Sequence, residues 1–154
     1  MSSATVELED CSLFTGLPSD VLERIRGLAR EREFKENTTI FSEGDPAEEL
    51  FILVSGEVEL DYTLPNQPGT TLKITRIAPG EVFAWSALAG AGRLSAKGRT
   101  LQKSRVYTIP GPGLCEILES RPAAGYLVMS RLTALVASRL RDTRLQLRWL
   151  LSST

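Results

Sequence analysis

The sequence predicts a mainly β domain with flanking helices, and three observations carry that expectation. Between Phe34 and Pro110, short β-branched and aromatic runs alternate with turn residues at intervals of about eight to twelve positions, the pattern of a sandwich or small barrel. A brief helical repeat precedes this zone. A long stretch of helical periodicity follows it. A chain of 154 residues has room for one such core and is read as a single domain over 1–154.

The lead-in, 1–33, is read as helical. Leu17-Pro18-Ser19-Asp20 offers a proline near a helix start with Ser or Asp as cap, and Val21, Leu22, Ile25, Leu28 and Ala29 then recur on one face. The β zone, 34–110, opens with Thr38-Thr39-Ile40-Phe41 and turns at Gly44-Asp45-Pro46. Leu50 to Val54 is a buried-strand run, Ser55-Gly56 a tight turn, and Val58 to Tyr62 and Leu72 to Ile77 alternate in polarity. Pro79-Gly80 turns the chain again before Val82-Phe83, and Arg99 to Leu101 and Arg105 to Ile109 close the set. In the helical zone, 111–151, a short helix enters through Pro112-Gly113, and Pro122 starts a longer one. Along the latter, Met129, Thr133, Val136, Leu140, Thr143, Leu147 and Leu150 follow a heptad-like seam. A helix of roughly 30 residues runs about 45 Å, more than one small β domain covers. The seam is expected to meet its copy in a homodimer, the alternative being a helix folded back as core.

Composition excludes more than it selects. A net charge of −1 gives no general attraction to nucleic acid, and no apolar run approaches the ~20 residues that span a bilayer. The polar N-terminus does not read as a secretion signal, so a cytoplasmic location without membrane contact is expected. Cys11 and Cys115 are isolated thiols. Histidine is absent, which removes the usual general base and the imidazole ligands of zinc and haem. No metal site, no catalytic residue and no enzymatic activity are expected.

The segment Phe83-Ala84-Trp85-Ser86-Ala87-Leu88-Ala89-Gly90-Ala91-Gly92-Arg93 carries the chemistry. Small residues let backbone N–H groups approach an anion, and a guanidinium at the end of the turn can grip phosphate oxygens in bidentate fashion. The same composition also makes a solvated loop.

The order Leu13-Phe14-Thr15-Gly16-Leu17-Pro18, Ile40-Phe41-Ser42-Glu43-Gly44-Asp45-Pro46-Ala47, Leu50 to Val58 and Pro79-Gly80-Glu81-Val82-Phe83 resembles the cyclic nucleotide-binding domain family, from Leu13 to about Leu147. That family includes the sensor domains of the catabolite activator and the fumarate/nitrate-reductase regulators. The resemblance implies a double-stranded β-helix, or jelly roll, with an N-terminal helix, a phosphate cassette within 80–100 and a long C-terminal helix. It implies ligand contacts from Phe83, Ala84, Trp85, Ser86, Ala87, Leu88, Arg93 and Leu94, and from Thr143 on the long helix. Nucleotide-binding members usually carry Phe-Gly-Glu at the cassette start, the Glu accepting the ribose 2′-hydroxyl. Here Ala84 stands for the Gly and Trp85 for the Glu, an indole that cannot accept that proton. Leu94 stands where a hydroxyl residue is usual, and the turn is about one residue shorter. The string Trp85-Ser86-Ala87-Leu88 resembles a bacterial subgroup carrying Phe-Gly-Trp-Ser-Ala-Leu. Thr143 falls at the purine-contacting position of the catabolite activator, and Arg144 replaces a Ser supplied there by the other subunit. Thr143 is equally a polar residue setting heptad register.

The implied function is a regulatory sensor for cyclic AMP, cyclic GMP, a cyclic dinucleotide or a related phosphorylated ligand, needing no cofactor and signalling through the long helix. The alternative is a ligand-free dimerisation or protein-docking module with Trp85 and Leu94 filling a degenerate pocket. Regulators of the activator type carry a helix-turn-helix after the long helix. This sequence stops at Thr154, and no direct DNA binding is expected from it. The basic run Arg131, Arg139, Arg141, Arg144 and Arg148 is read as a solvated face, with nucleic-acid contact as the alternative.

Overall fold

Alternation along single strands builds two cores here rather than one. The computed structural model describes residues 6–64, 66–67, 69–89 and 92–152. A 3-10 turn at Leu8–Asp10 and helix α1 (Ser19–Leu28) lead into β1 (Arg30–Phe34), β2 (Thr39–Phe41), β3 (Glu49–Ser55), β4 (Val58–Thr63), β5 (Thr71–Ile77) and β6 (Val82–Phe83). The short α2 (Ser86–Ala89) follows, then β7 (Lys97–Thr100), β8 (Ser104–Pro110), α3 (Gly111–Ser120) and α4 (Pro122–Ser152).

The strands form two antiparallel four-stranded sheets, in the orders β1-β8-β3-β6 and β2-β7-β4-β5. In β3, Phe51 and Leu53 point between the sheets, where they join Phe41, Val58, Leu60, Ile77, Phe83 and Val106. Leu50 and Ile52 point the other way, onto Leu13, Phe14, Val21, Ile25, Leu114, Ile117, Val128 and Leu132 of the helical layer. The two-residue period of a strand thus assigns each sheet face to its own core. Rings of Phe41, Phe51 and Phe83 cluster with centroids 5.3 to 6.0 Å apart.

At Gly56, which joins β3 to β4 with φ +98°, a Cβ would lie 2.3 Å from Ser104 Oγ and 2.6 Å from the Lys103 carbonyl oxygen. The turn there requires glycine on both counts.

Two expectations are corrected. Residues 30–33 lie within the stretch read as helical, yet with Phe34 they form an edge strand paired from Arg30↔Thr108 to Phe34↔Ser104. Its sequence, Arg-Glu-Arg-Glu-Phe, is exposed over most of its length and carries no apolar alternation to read. Charged side chains of this kind guard a sheet edge against further pairing. The cap of α1 is also different: Pro18 occupies the N-cap position and no side chain caps the helix.

Arg131, read with the basic run of α4, is a clasp. Its Nη1 donates to the carbonyls of Leu13 (3.1 Å) and Thr15 (2.6 Å), fixing the helix to the N-terminal segment. Further along α4, the seam residues Leu140 and Leu147 are each 49% exposed. Both cysteines are free, and burial pushes the Cys11 thiol up to about 11, which makes it unreactive.

Candidate functional site

The chain reverses out of β6 through Ala84, a non-glycine residue at φ +60°. It then winds one helical turn, so the N–H of Ala87 goes to the Ala84 carbonyl and that of Leu88 to the Trp85 carbonyl. Two of the backbone donors expected to face an anion, those of Ala87 and Leu88, are therefore spent within this turn. On the far side, Gly111 at the start of α3 lies against Ala87, where a Cβ would come within 2.5 Å of the Ala87 carbonyl oxygen. Leu88 packs on the helical core.

Arg93 is exposed and turns outward. Its Nη1 donates to the Gly44 carbonyl at 2.7 Å, and its backbone pairs with Pro46. Reciprocal bonds between Gly44 and Leu94, and between Leu94 and Asp45, complete the junction. Arg93 thus secures the Gly44-Asp45-Pro46 turn to the strand that leaves the cassette.

A cavity of roughly 60 Å3 lies between the roll and α4. Its floor is Phe41, Leu60, Tyr62 and Ile74, one wall is Ala84, Trp85 and Ser86, and another is Leu94, Ser95 and Ala96. Arg139 and Thr143, one turn apart on α4, close it. The structure therefore brings Ala84, Trp85, Ser86, Leu94 and Thr143 together, as the sequence suggested. It leaves Arg93, Ala87 and Leu88 outside, and sinks Phe83 beneath the floor in contact with Phe41. Thr143 Oγ1 donates to the Arg139 carbonyl at 2.9 Å, so its proton is committed to its own helix.

Arg139 is the residue that sequence reasoning passed over as a site. Its side chain is only 11% exposed, and its guanidinium carbon sits 5.7 Å from the centre of the Trp85 ring. Nη1 stands 4.0 Å from Asp142, while Nε and Nη2 are buried without a hydrogen-bond partner. Burial pulls the guanidinium below its ordinary pKa, opposed by Glu81 and Asp142. A signal was available in the sequence: Arg139 and Thr143 share one helix face.

A second cluster of charge lies across β4 from the cavity. Glu59 accepts from Arg99 at 3.0 Å, with Lys73 and Arg76 at 3.9 Å. Beside it, Asp61 is buried with Oδ1 unpaired. Burial first, and then Glu59, pushes the Asp61 carboxyl up from its ordinary value, against Arg99 and Lys97.

A family model described as the cyclic nucleotide-binding domain matches residues 31–121. The chain belongs to the cyclic nucleotide-binding domain family. Among solved structures it is similar to the catabolite activator protein of Thermus thermophilus, at 27% identity and a TM-score of 0.73, over 90% of this chain and 62% of that one. It is also similar to the N-terminal domain of a transcriptional regulator from Streptomyces coelicolor, at 26% identity and a TM-score of 0.67, over 86% and 89%. A relative of another kind is glutaminase 1 of Bradyrhizobium diazoefficiens, 29% identical over 88% of this chain but 21% of that protein. The chain spans 58% to 60% of the length of the curated regulators it matches.

Membership accounts for the two sheets, the cassette between β6 and β7, and the long terminal helix. The cavity of this domain differs in one respect from what the resemblance implied: the cation inside it comes from α4 and not from the end of the cassette. No group of His, Cys, Asp or Glu able to hold a metal ion occurs among the described residues, nor a helix long and apolar enough to cross a membrane.

Proposed function

We propose that this domain is a cytoplasmic regulatory sensor that binds a cyclic nucleotide or related phosphorylated ligand between the roll and α4, and signals through that helix. One observation carries the reading. The Arg139 guanidinium is buried in the cavity with two nitrogens unpaired. An unpaired charge removed from water is costly, and an entering anion offsets that cost. Binding works by population shift, favouring whichever α4 arrangement lets Arg139 close on the ligand. The seam of Met129, Val136, Leu140 and Leu147 carries the change to a second copy or a partner protein. We assign neither catalysis nor DNA reading to these residues.

Calorimetric titration with cyclic AMP, cyclic GMP and a cyclic dinucleotide tests the reading. Submillimolar binding of at least one, lost in Arg139→Gln, supports it. Absence of binding by all three rejects it.

A specific observation favours a second reading. At about 60 Å3 the cavity, which Trp85 and Arg139 help to line, is well below the ~300 Å3 at which small-molecule sites begin. A ligand-free docking module would keep it so. On the sensor reading, the indole and guanidinium part when ligand enters, and a change in Trp85 fluorescence on titration separates the two.

A further inference from the structure

Resting on the α4 seam of the proposed reading, we infer that Tyr126 anchors a parallel pairing of two copies by entering a groove of the other copy, one wall of which is the cassette helix α2. The occupant of that groove is thus the phenol ring of a second chain, and each copy gives one ring and receives one.

The register places the ring. Tyr126 stands three residues before Met129 and extends the seam toward the start of α4. Its side chain is 78% exposed. With Tyr126 at heptad position a, Met129 at d and Thr133 at the next a, the seam keeps its steps of three and four. In a parallel two-stranded coil, a knob at a enters a hole bounded on the facing helix by the preceding d and g and by the adjacent a and d. Those positions are Pro122, Gly125, Tyr126 and Met129.

The fold leaves an opening at that hole. A groove of about 310 Å3 is lined by Pro122, Gly125 and Met129 of α4, Leu118 and Glu119 of α3, and Leu88 of α2. Gly125 brings no side chain into it, and a Cβ there would lie 2.7 Å from the Leu118 carbonyl oxygen. The apolar wall suits an aromatic ring, while the exposed Glu119 carboxylate can accept from the phenol hydroxyl. Leu88 gives the contact its consequence. Helix α2 carries both Leu88 and Ser86, and Ser86 lines the ligand cavity. A ring seated on Leu88 therefore bears on the same short helix as the cavity does, joining the pairing of copies to the position of the cassette.

Sedimentation equilibrium of the full chain reads the dimer dissociation constant. Tyr126→Ala is expected to raise it by about tenfold or more, on the scale of an aromatic anchor. Trp149→Ala, at a 70% exposed position turned away from the seam, leaves it unchanged. Tyr126→Phe and Glu119→Gln each raise it by a smaller factor, and the double variant no further than either alone, because both remove one hydrogen bond. In a mixture of isotope-labelled and unlabelled chains, cross-copy NOEs are expected from the Tyr126 ring to the Leu88 methyls.

A dimer that Tyr126→Ala does not weaken, or one without those NOEs, overturns this inference and leaves the seam standing. An antiparallel pairing along the seam gives that second result, since Tyr126 then faces the far end of α4. Additive losses in the double variant overturn the hydroxyl contact. A chain monomeric at every concentration removes the seam itself, and this inference with it.

Discussion

Ala84 and Arg139 are each held in a state their residue type disfavours, and both states bear on the cavity. At φ +60° the Ala84 side chain is crowded against its own backbone, a cost that glycine avoids. Ala84→Gly is expected to leave the denaturant midpoint unchanged or raise stability by up to about 1 kcal/mol, whereas Ala84→Val lowers it. Arg139 gives the complementary case. Replacing the unpaired guanidinium by methionine removes a buried charge while keeping the packing on Trp85, and should stabilise the ligand-free domain by about 1 to 3 kcal/mol. The same variant loses the ligand, so stability and binding move in opposite directions. A stability loss in Arg139→Met would mean that the guanidinium is structural. Asp61 adds a pH dependence. Its carboxyl titrates higher in the folded chain than in the unfolded one, so its favourable contribution is complete below the ordinary carboxylate pKa and disappears as pH rises through the folded value. Asp61→Asn should therefore gain on wild type between pH 4 and pH 7 in urea melts; a constant difference across that range would contradict the assignment.

At the scale of the element, the strands were legible where one face is apolar and illegible where neither is. Leu50 to Val54 and Leu72 to Ile77 announce themselves by composition and alternation. The charged β1 could not, because an edge strand needs only backbone pairing with β8, and all of its side chains but Phe34 are exposed. Trp85, Leu94 and Thr143, named from the family resemblance, do line the cavity, but the direction in which an arginine points was not legible. Arg93 satisfies a nearby carbonyl, and Arg139 is carried inward by the pitch of α4; both outcomes depend on tertiary geometry. Two element-level outcomes follow. Gly56→Ala, at φ +98° with Ser104 Oγ 2.3 Å from the new Cβ, should cost about 1 to 3 kcal/mol in chemical denaturation. On the proposed dimer seam, Leu140→Glu should shift sedimentation equilibrium from dimer toward monomer, since a charge at a facing position repels its copy. An unchanged mass distribution would remove the seam from the account.

At the scale of the whole molecule, the cavity and the long helix meet. Along its 31 residues, α4 is held by Arg131 to the N-terminal segment near its start and contacts the cavity through Arg139 and Thr143. Leu140, the residue after Arg139, lies on the exposed seam. On the proposed sensor reading, a ligand that draws in Arg139 acts on that seam without any separate relay. The most direct measurement is NMR of the chain carrying 15N-labelled arginine, with the Arg139 Nε–H signal assigned through Arg139→Lys. On addition of cyclic AMP, the account predicts that this signal moves downfield and becomes protected from solvent exchange while that of Arg93 stays in place. A shift confined to Arg93, with Arg139 unmoved at saturation, would contradict it.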